Sequence, residues 1–208
     1  MKKLLALLLL LSSIASAENV NNTAWENIGT VPSALQEING GTITVRELGN
    51  IAQHKTVLRL VATPVTVTNN AGVALYGGIQ LYTFPVGNIL IKGAEIQTFG
   101  AAALTCSSAG LATFTSVTSL GTVTAANDAT LTSAEANILA STASSTASAK
   151  IATVKNITLT SPTAPLDGTL TAIPLFLNID IANDAANATG SCTFTGFITI
   201  NWESLSFR

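Results

Sequence analysis

The side chains able to do chemistry here are few: one histidine, two cysteines and eleven acids in a chain of 208 residues. His54 sits in Gln53-His54-Lys55 and reads as a loop-edge residue before a strand. A Ser-His-Asp triad would need His54 as its base, but no serine lies in a G-x-S-x-G elbow. A zinc site needs three or four His, Cys or acidic ligands at close spacing, and one histidine without a C-x-x-C does not supply them. Gly40-Gly41 and Gly77-Gly78 read as turns or strand bends, not as phosphate-cradling loops. Two carboxylates across a cleft suffice for glycoside hydrolysis. Glu95, Asp180 and Glu203 are the acids best placed on strands, but aromatics to line a sugar cleft make up only 5%. Asp180, Asn183, Asp184 and Asn187 have the chemistry of calcium ligands without the EF-hand spacing, and Asn and Asp are also ordinary turn residues. The expectation is a non-enzyme with no catalytic residue, no metal and no cofactor.

Cys106 and Cys192 lie 192 − 106 = 86 residues apart. In an oxidising compartment they can form a disulfide. Otherwise they are two small buried hydrophobes.

These groups must be positioned by a chain that is 48% hydrophobic and only 10% charged, against an ordinary charged share of about a quarter. That leaves enough apolar surface for a core and makes the solvent faces hydroxylic and amidic. Thr-rich outer strands fit that balance, as does a surface covered in an assembly. Formal net charge is −2, and the nine Lys and Arg are spread along the sequence. Phosphate-backbone binding needs clustered cations, so nucleic acid is not an expected partner.

The N-terminus has three parts in order: basic Met1-Lys2-Lys3, apolar Leu4 to Leu11, and Ala15-Ser16-Ala17 in an A-x-A pattern. Residues 1–17 therefore read as a signal-peptide-like segment, too short for a stable membrane span. Residues 18–41 read as an irregular arm, and 42–208 as one domain.

From residue 40 the hydrophobic period is two. Strands are expected at Thr42–Val45, Thr56–Val61, Val65–Thr68, Gly78–Phe84, Ile89–Gln97, Leu111–Val117, Leu120–Thr124, Ile151–Thr160, Thr169–Ile173, Leu175–Ile181 and Thr193–Trp202. Such spacing of short strands predicts a mainly β fold, an antiparallel sandwich of jelly-roll-like form. In the last strand Phe194, Ile198, Ile200 and Trp202 share one face with Cys192, and Phe197 shares the other with Thr195 and Thr199. Leu175, Leu177, Ile179 and Ile181 oppose Phe176, Asn178 and Asp180. Thr132-Ser133-Ala134-Glu135 has the form of a capping box, which predicts a short helix through Leu139. Ser141 to Ser148, low in complexity, reads as a loop.

Several stretches, taken in order, resemble a group of tailed-phage virion proteins. They are Thr44 to Gly49 leading to His54–Leu58, Gly77 to Gly87 followed by Ile89–Gly93, Gly121–Val123 leading to Asp128–Ala136, and Leu166–Thr169 leading to Leu177–Asp180 and the terminal strand. The resemblance spans roughly residues 42–202 and implies a capsid-associated or decoration β-sandwich in the virion. Such a subunit is a homo-oligomer that contacts itself and other capsid proteins. The family has no catalytic residues to carry over. Residues 1–17 depart from its pattern. They fit instead the rival reading of a secreted or cell-surface subunit, pilin-like or adhesive, located in the periplasm or outside the cell. An exported hydrolase is the third. Phe176, Phe197, Trp202 and Phe207 are the candidate interface anchors.

Overall fold

The computed structural model describes residues 42–49, 52–70, 74–98, 104–107, 115–126, 130–143, 145–148, 151–153, 157–158, 165–182 and 189–205. Residues 1–41, which carry the signal-like segment and the arm, lie outside them. The described residues are mainly antiparallel β. The strands are β1 (Ile43–Gly49), β2 (Gln53–Asn70), β3 (Ala74–Thr83), β4 (Gly87–Thr98), β5 (Leu104–Ser107), β6 (Thr115–Gly121), β7 (Leu139–Ala143), β8 (Ser145–Ser148), β9 (Ile151–Thr153), β10 (Ile157–Thr158), β11 (Leu166–Gly168), β12 (Pro174–Ala182) and β13 (Thr189–Ser204).

All belong to one sheet, whose main path runs β7-β6-β12-β3-β2-β13-β5-β9-β8. Its spine is the pairing of β2 with β13, from Thr68↔Thr189 to Gln53↔Glu203. The other edge of β13 takes β5 and then β4. The other edge of β2 takes β1 over His54–Leu60 and β3 over Thr68–Asn70. Because β2 and β3 touch only at that end, the sheet curls there into a half-barrel. The β3–β12–β6 branch swings over the β2–β13–β4 branch and closes one apolar cluster. Leu58, Leu60, Ile198 and Ile200 meet Leu75, Leu81, Leu177 and Ile179 in it, all fully buried. Each such side chain contributes about 2 kcal/mol.

Thr56–Val61 and Val65–Thr68 are not two strands but parts of one. A bulge joins them: Leu60 opposes Gly196 and Thr63 opposes Phe194, so Val61 and Ala62 together face the single residue Thr195. The extra residue switches parity. Inward residues are even before the bulge (His54, Thr56, Leu58, Leu60) and odd after it (Thr63, Val65, Val67), so β2 keeps one face on the core while it bends. Ala62 takes the left-handed conformation this requires, at φ 49°, and donates its N–H to Thr195 Oγ1 at 3.0 Å. Pro64 follows, between the stretches paired by β1 and β3, where a missing N–H removes no ladder bond on that edge.

The expected helix after Thr132 is only a 3-10 turn, Ser133–Glu135. The capping residues do meet, since Thr132 N–H donates to the Glu135 carboxylate at 3.2 Å. Ala126 N–H donates to the same carboxylate, which thereby ties the segment down rather than starting a helix. The low-complexity stretch forms β7 and β8 instead of a loop, and Thr169–Ile173 is not a strand.

Residues 122–126 and 130–138 are fastened to the sheet by Asn178. Its Nδ2 donates to the carbonyls of Val123 (2.9 Å) and Glu135 (2.8 Å), and its Oδ1 accepts from Ala125 N–H at 2.8 Å. Ser119 Oγ donates to the Glu135 carbonyl at 2.7 Å. Gly121 is needed beneath it: a Cβ there would lie 2.3 Å from the Glu135 backbone.

Two outcomes follow for stability. Ala62→Gly should raise unfolding stability in urea by roughly 0.5–1 kcal/mol by relieving the left-handed alanine; a loss would mean that the bulge is not strained there. Asn178→Ala should cost about 2–3 kcal/mol, since Ala125 N–H and the Val123 carbonyl lose their side-chain partner and the Glu135 carbonyl keeps only Ser119. Amide exchange should then accelerate over 122–126 and 130–138 and leave β13 protected.

Candidate functional site

The most unusual constellation lies where β1 ends, β2 begins and β13 ends. The β1–β2 connection demands glycine at 49, where φ is 129° and a Cβ would meet the Gln53 carbonyl at 2.1 Å. The register then sets Gly49 opposite His54, and His54 opposite Trp202. His54 is buried, 6% exposed, and stacks flat on Trp202 with centroids 3.9 Å apart and planes 6° from parallel. Phe84 meets the indole edge-on at 5.5 Å, and Tyr82 meets Phe84 in the same way at 5.3 Å. These contacts have the edge-to-face geometry that the ring quadrupole favours.

A polar chain threads this aromatic cluster. Trp202 Nε1 donates to Thr56 Oγ1 at 2.9 Å, and Thr56 Oγ1 donates to Glu47 Oε1 at 2.8 Å. The Tyr82 hydroxyl donates to the same carboxylate oxygen. The other oxygen, Oε2, is buried with no hydrogen-bond partner. Burial pushes the Glu47 carboxyl above its usual range, and the bonds from Tyr82 and Thr56 partly oppose that. The site therefore orients donors toward one carboxylate but buries the rings around it. Trp202 is 1% exposed. Outside it is a shallow depression of about 440 Å³, bordered by Leu48, Lys55, Lys92, Asn201 and Glu203.

The outer face of β1, β2, β13 and β4 is the second feature. Alternation turns Thr44, Arg46 and Leu48 outward on β1, with Lys55, Val57 and Arg59 on β2, Phe197, Thr199 and Asn201 on β13, and Gly93, Glu95 and Gln97 on β4. The cations that are spread along the sequence come together here. Arg46, Lys55, Arg59 and Lys92 are all the Lys and Arg among the described residues, and all four are exposed at this side. Glu203 faces Lys92 at 4.0 Å and accepts from Gln53 Nε2 at 3.3 Å. Gln97 Nε2 donates to Glu95 at 2.7 Å.

Against expectation, His54 is not an exposed loop edge but part of the core, and so is Trp202, whose bulk packs inside the chain. Phe176 and Phe197 are half-buried, and Phe207 lies outside the described residues. Glu95 and Glu203 share the outer face, whereas Asp180 is buried in β12, which pairs with neither β4 nor β13. Asn183, Asp184 and Asn187 lie outside the described residues. Cys192 is disulfide-bonded. The other cysteine of the chain, Cys106, is its cross-strand partner in the β5–β13 register. Among the described residues no group of three metal-binding side chains occurs, and no helix is long and apolar enough to cross a membrane. No protein-family model, curated protein or solved structure matches the chain.

Replacing Thr56 by Val should cost about 2 kcal/mol, because Trp202 Nε1 is left buried without its acceptor and Glu47 loses a donor. Denaturant unfolding followed by indole fluorescence reads both the loss and its place. The raised carboxyl of Glu47 binds a proton more tightly folded than unfolded. Its stabilising contribution is thus full below the usual glutamate range and is lost as pH rises through the raised value. Melting temperatures from pH 4 to 8 should show that decline in the native chain, and Glu47→Gln should flatten it; an unchanged pH profile would assign the titration elsewhere.

Proposed function

We propose that the chain is a non-enzymatic structural subunit of a phage-like virion, capsid-associated or decorating, which works through self-assembly and protein–protein contacts. The observation that carries this reading is the outer face of β1, β2, β13 and β4. It is a continuous four-stranded surface of threonine, amide and mixed charge with Phe197 half-buried near its middle. Apolar and aromatic centres with polar surroundings are how contact surfaces are built. The two branches of the curled sheet form the layers of a jelly-roll-like sandwich, one presenting the contact face and the other backing it.

A second reading, a secreted or cell-surface subunit, is favoured by the disulfide at Cys192 together with the signal-like residues 1–17. Disulfides persist in oxidising compartments. On either reading the bridge stabilises the domain, and Cys192→Ser should cost about 3–4 kcal/mol under non-reducing conditions.

Mass spectrometry of purified particles and of culture medium from the natural source, non-reduced and with N-terminal sequencing, separates the readings. The virion reading expects the chain in particles at a fixed ratio to the major capsid protein. A chain starting at Glu18, found in the periplasm or medium and missing from particles, overturns it in favour of the second.

A further inference from the structure

The outer face has an internal symmetry that the sequence hides. Three rows of residues cross it in the order β1, β2, β13, β4: Thr44-Arg59-Phe197-Gln97, Arg46-Val57-Thr199-Glu95 and Leu48-Lys55-Asn201-Gly93. In the middle row the cation and the acid stand at opposite ends, three strand spacings or about 14 Å apart, too far to pair within one chain. Reversing each row lays complementary groups over each other. Arg46 falls on Glu95, Val57 on Thr199, Arg59 on the ring of Phe197, Thr44 on Gln97, and the exposed Leu48 on the position that Gly93 leaves without a side chain.

That reversal is the operation of a two-fold axis lying in the face, parallel to the strands, between β2 and β13. We infer that this face pairs with the same face of a second copy of the chain about that axis. The inference rests on the reading of the chain as an assembling subunit and names the partner of that surface. An isologous contact requires a surface complementary to itself, and here charge and knob-to-gap matching occur under one operation. The two Arg46–Glu95 contacts fix the register. Aligned packing of two such sheets places them about 10 Å apart, within reach of these long side chains.

Sedimentation equilibrium of the full chain, as isolated, tests this with charge reversals. Native chain should dimerise. Glu95→Arg sets arginine against arginine twice, and Arg46→Glu sets acid against acid twice, so each alone should weaken dimerisation by about tenfold or more. Mixing the two variants restores both opposite-charge contacts, and the mixture should form heterodimers at native strength. Circular dichroism melts of each variant, matched to the native chain, exclude unfolding as the cause. A dimer indifferent to either reversal, or a mixture that stays monomeric, overturns this face as the self-contact while leaving the assembly reading standing. A native chain monomeric at all concentrations but present in particles overturns the self-pairing alone and points to a different capsid protein. A monomer that is also missing from particles overturns both.

Discussion

The antiparallel pairing of β2 with β13 is the constraint from which the rest of this structure follows. It runs nearly the full length of both strands, and every other branch of the sheet hangs from one of their two outer edges. The bulge at Val61-Ala62 lets so long a pair bend without turning a hydrophobic face to water. The bend lets β3 depart and return over the core. The same register brings His54 against Trp202 and sets Thr56 between the indole and Glu47. Packing, curvature and buried polar chemistry are therefore consequences of one alignment.

Two layers of polar satisfaction then specify how the sheet closes. At one end Glu47 gathers hydroxyl donors from β2 and β3 and so joins the edge strand β1 to the opposite branch. On β12, Asn178 makes three side-chain bonds to the backbone of Val123, Ala125 and Glu135. An apolar side chain at either place would bury as much surface but would not select one arrangement of these segments, because the dispersion and hydrophobic terms are not directional.

What the sequence discloses divides along the range of the interaction. The alternation in β12 and β13 is local, and reading it places Ile198, Ile200 and the Leu175-to-Ile181 series inward, along with Cys192. The bulge is not legible, because a left-handed alanine carries none of the signal that a glycine would give; β2 accordingly reads as two strands interrupted by Pro64. The capping residues at Thr132 and Glu135 are legible and real, but the Glu135 carboxylate has a second donor in Ala126 that no local pattern foretells, and the helix stops after one 3-10 turn. His54 is misplaced by local reading for a similar reason: its partner Trp202 lies far along the chain, and only register unites them. The clustering of Arg46, Lys55, Arg59 and Lys92 is invisible for the same cause, since strands remote in sequence bring them together.

The position of β13 in the sheet has a further consequence, for the order of events during synthesis. Among the described residues, the strand that pairs with β2, β4 and β5 follows the other twelve in the chain. Until it arrives, β2, β4 and β5 each lack the neighbour that satisfies one of their edges, and Thr56 and Phe84 lack the indole they pack against. Such long-range pairing folds slowly because loop closure must precede its reward. The edges of β2, β4 and β5 that β13 satisfies therefore stay without that partner in any chain that stops short of β13.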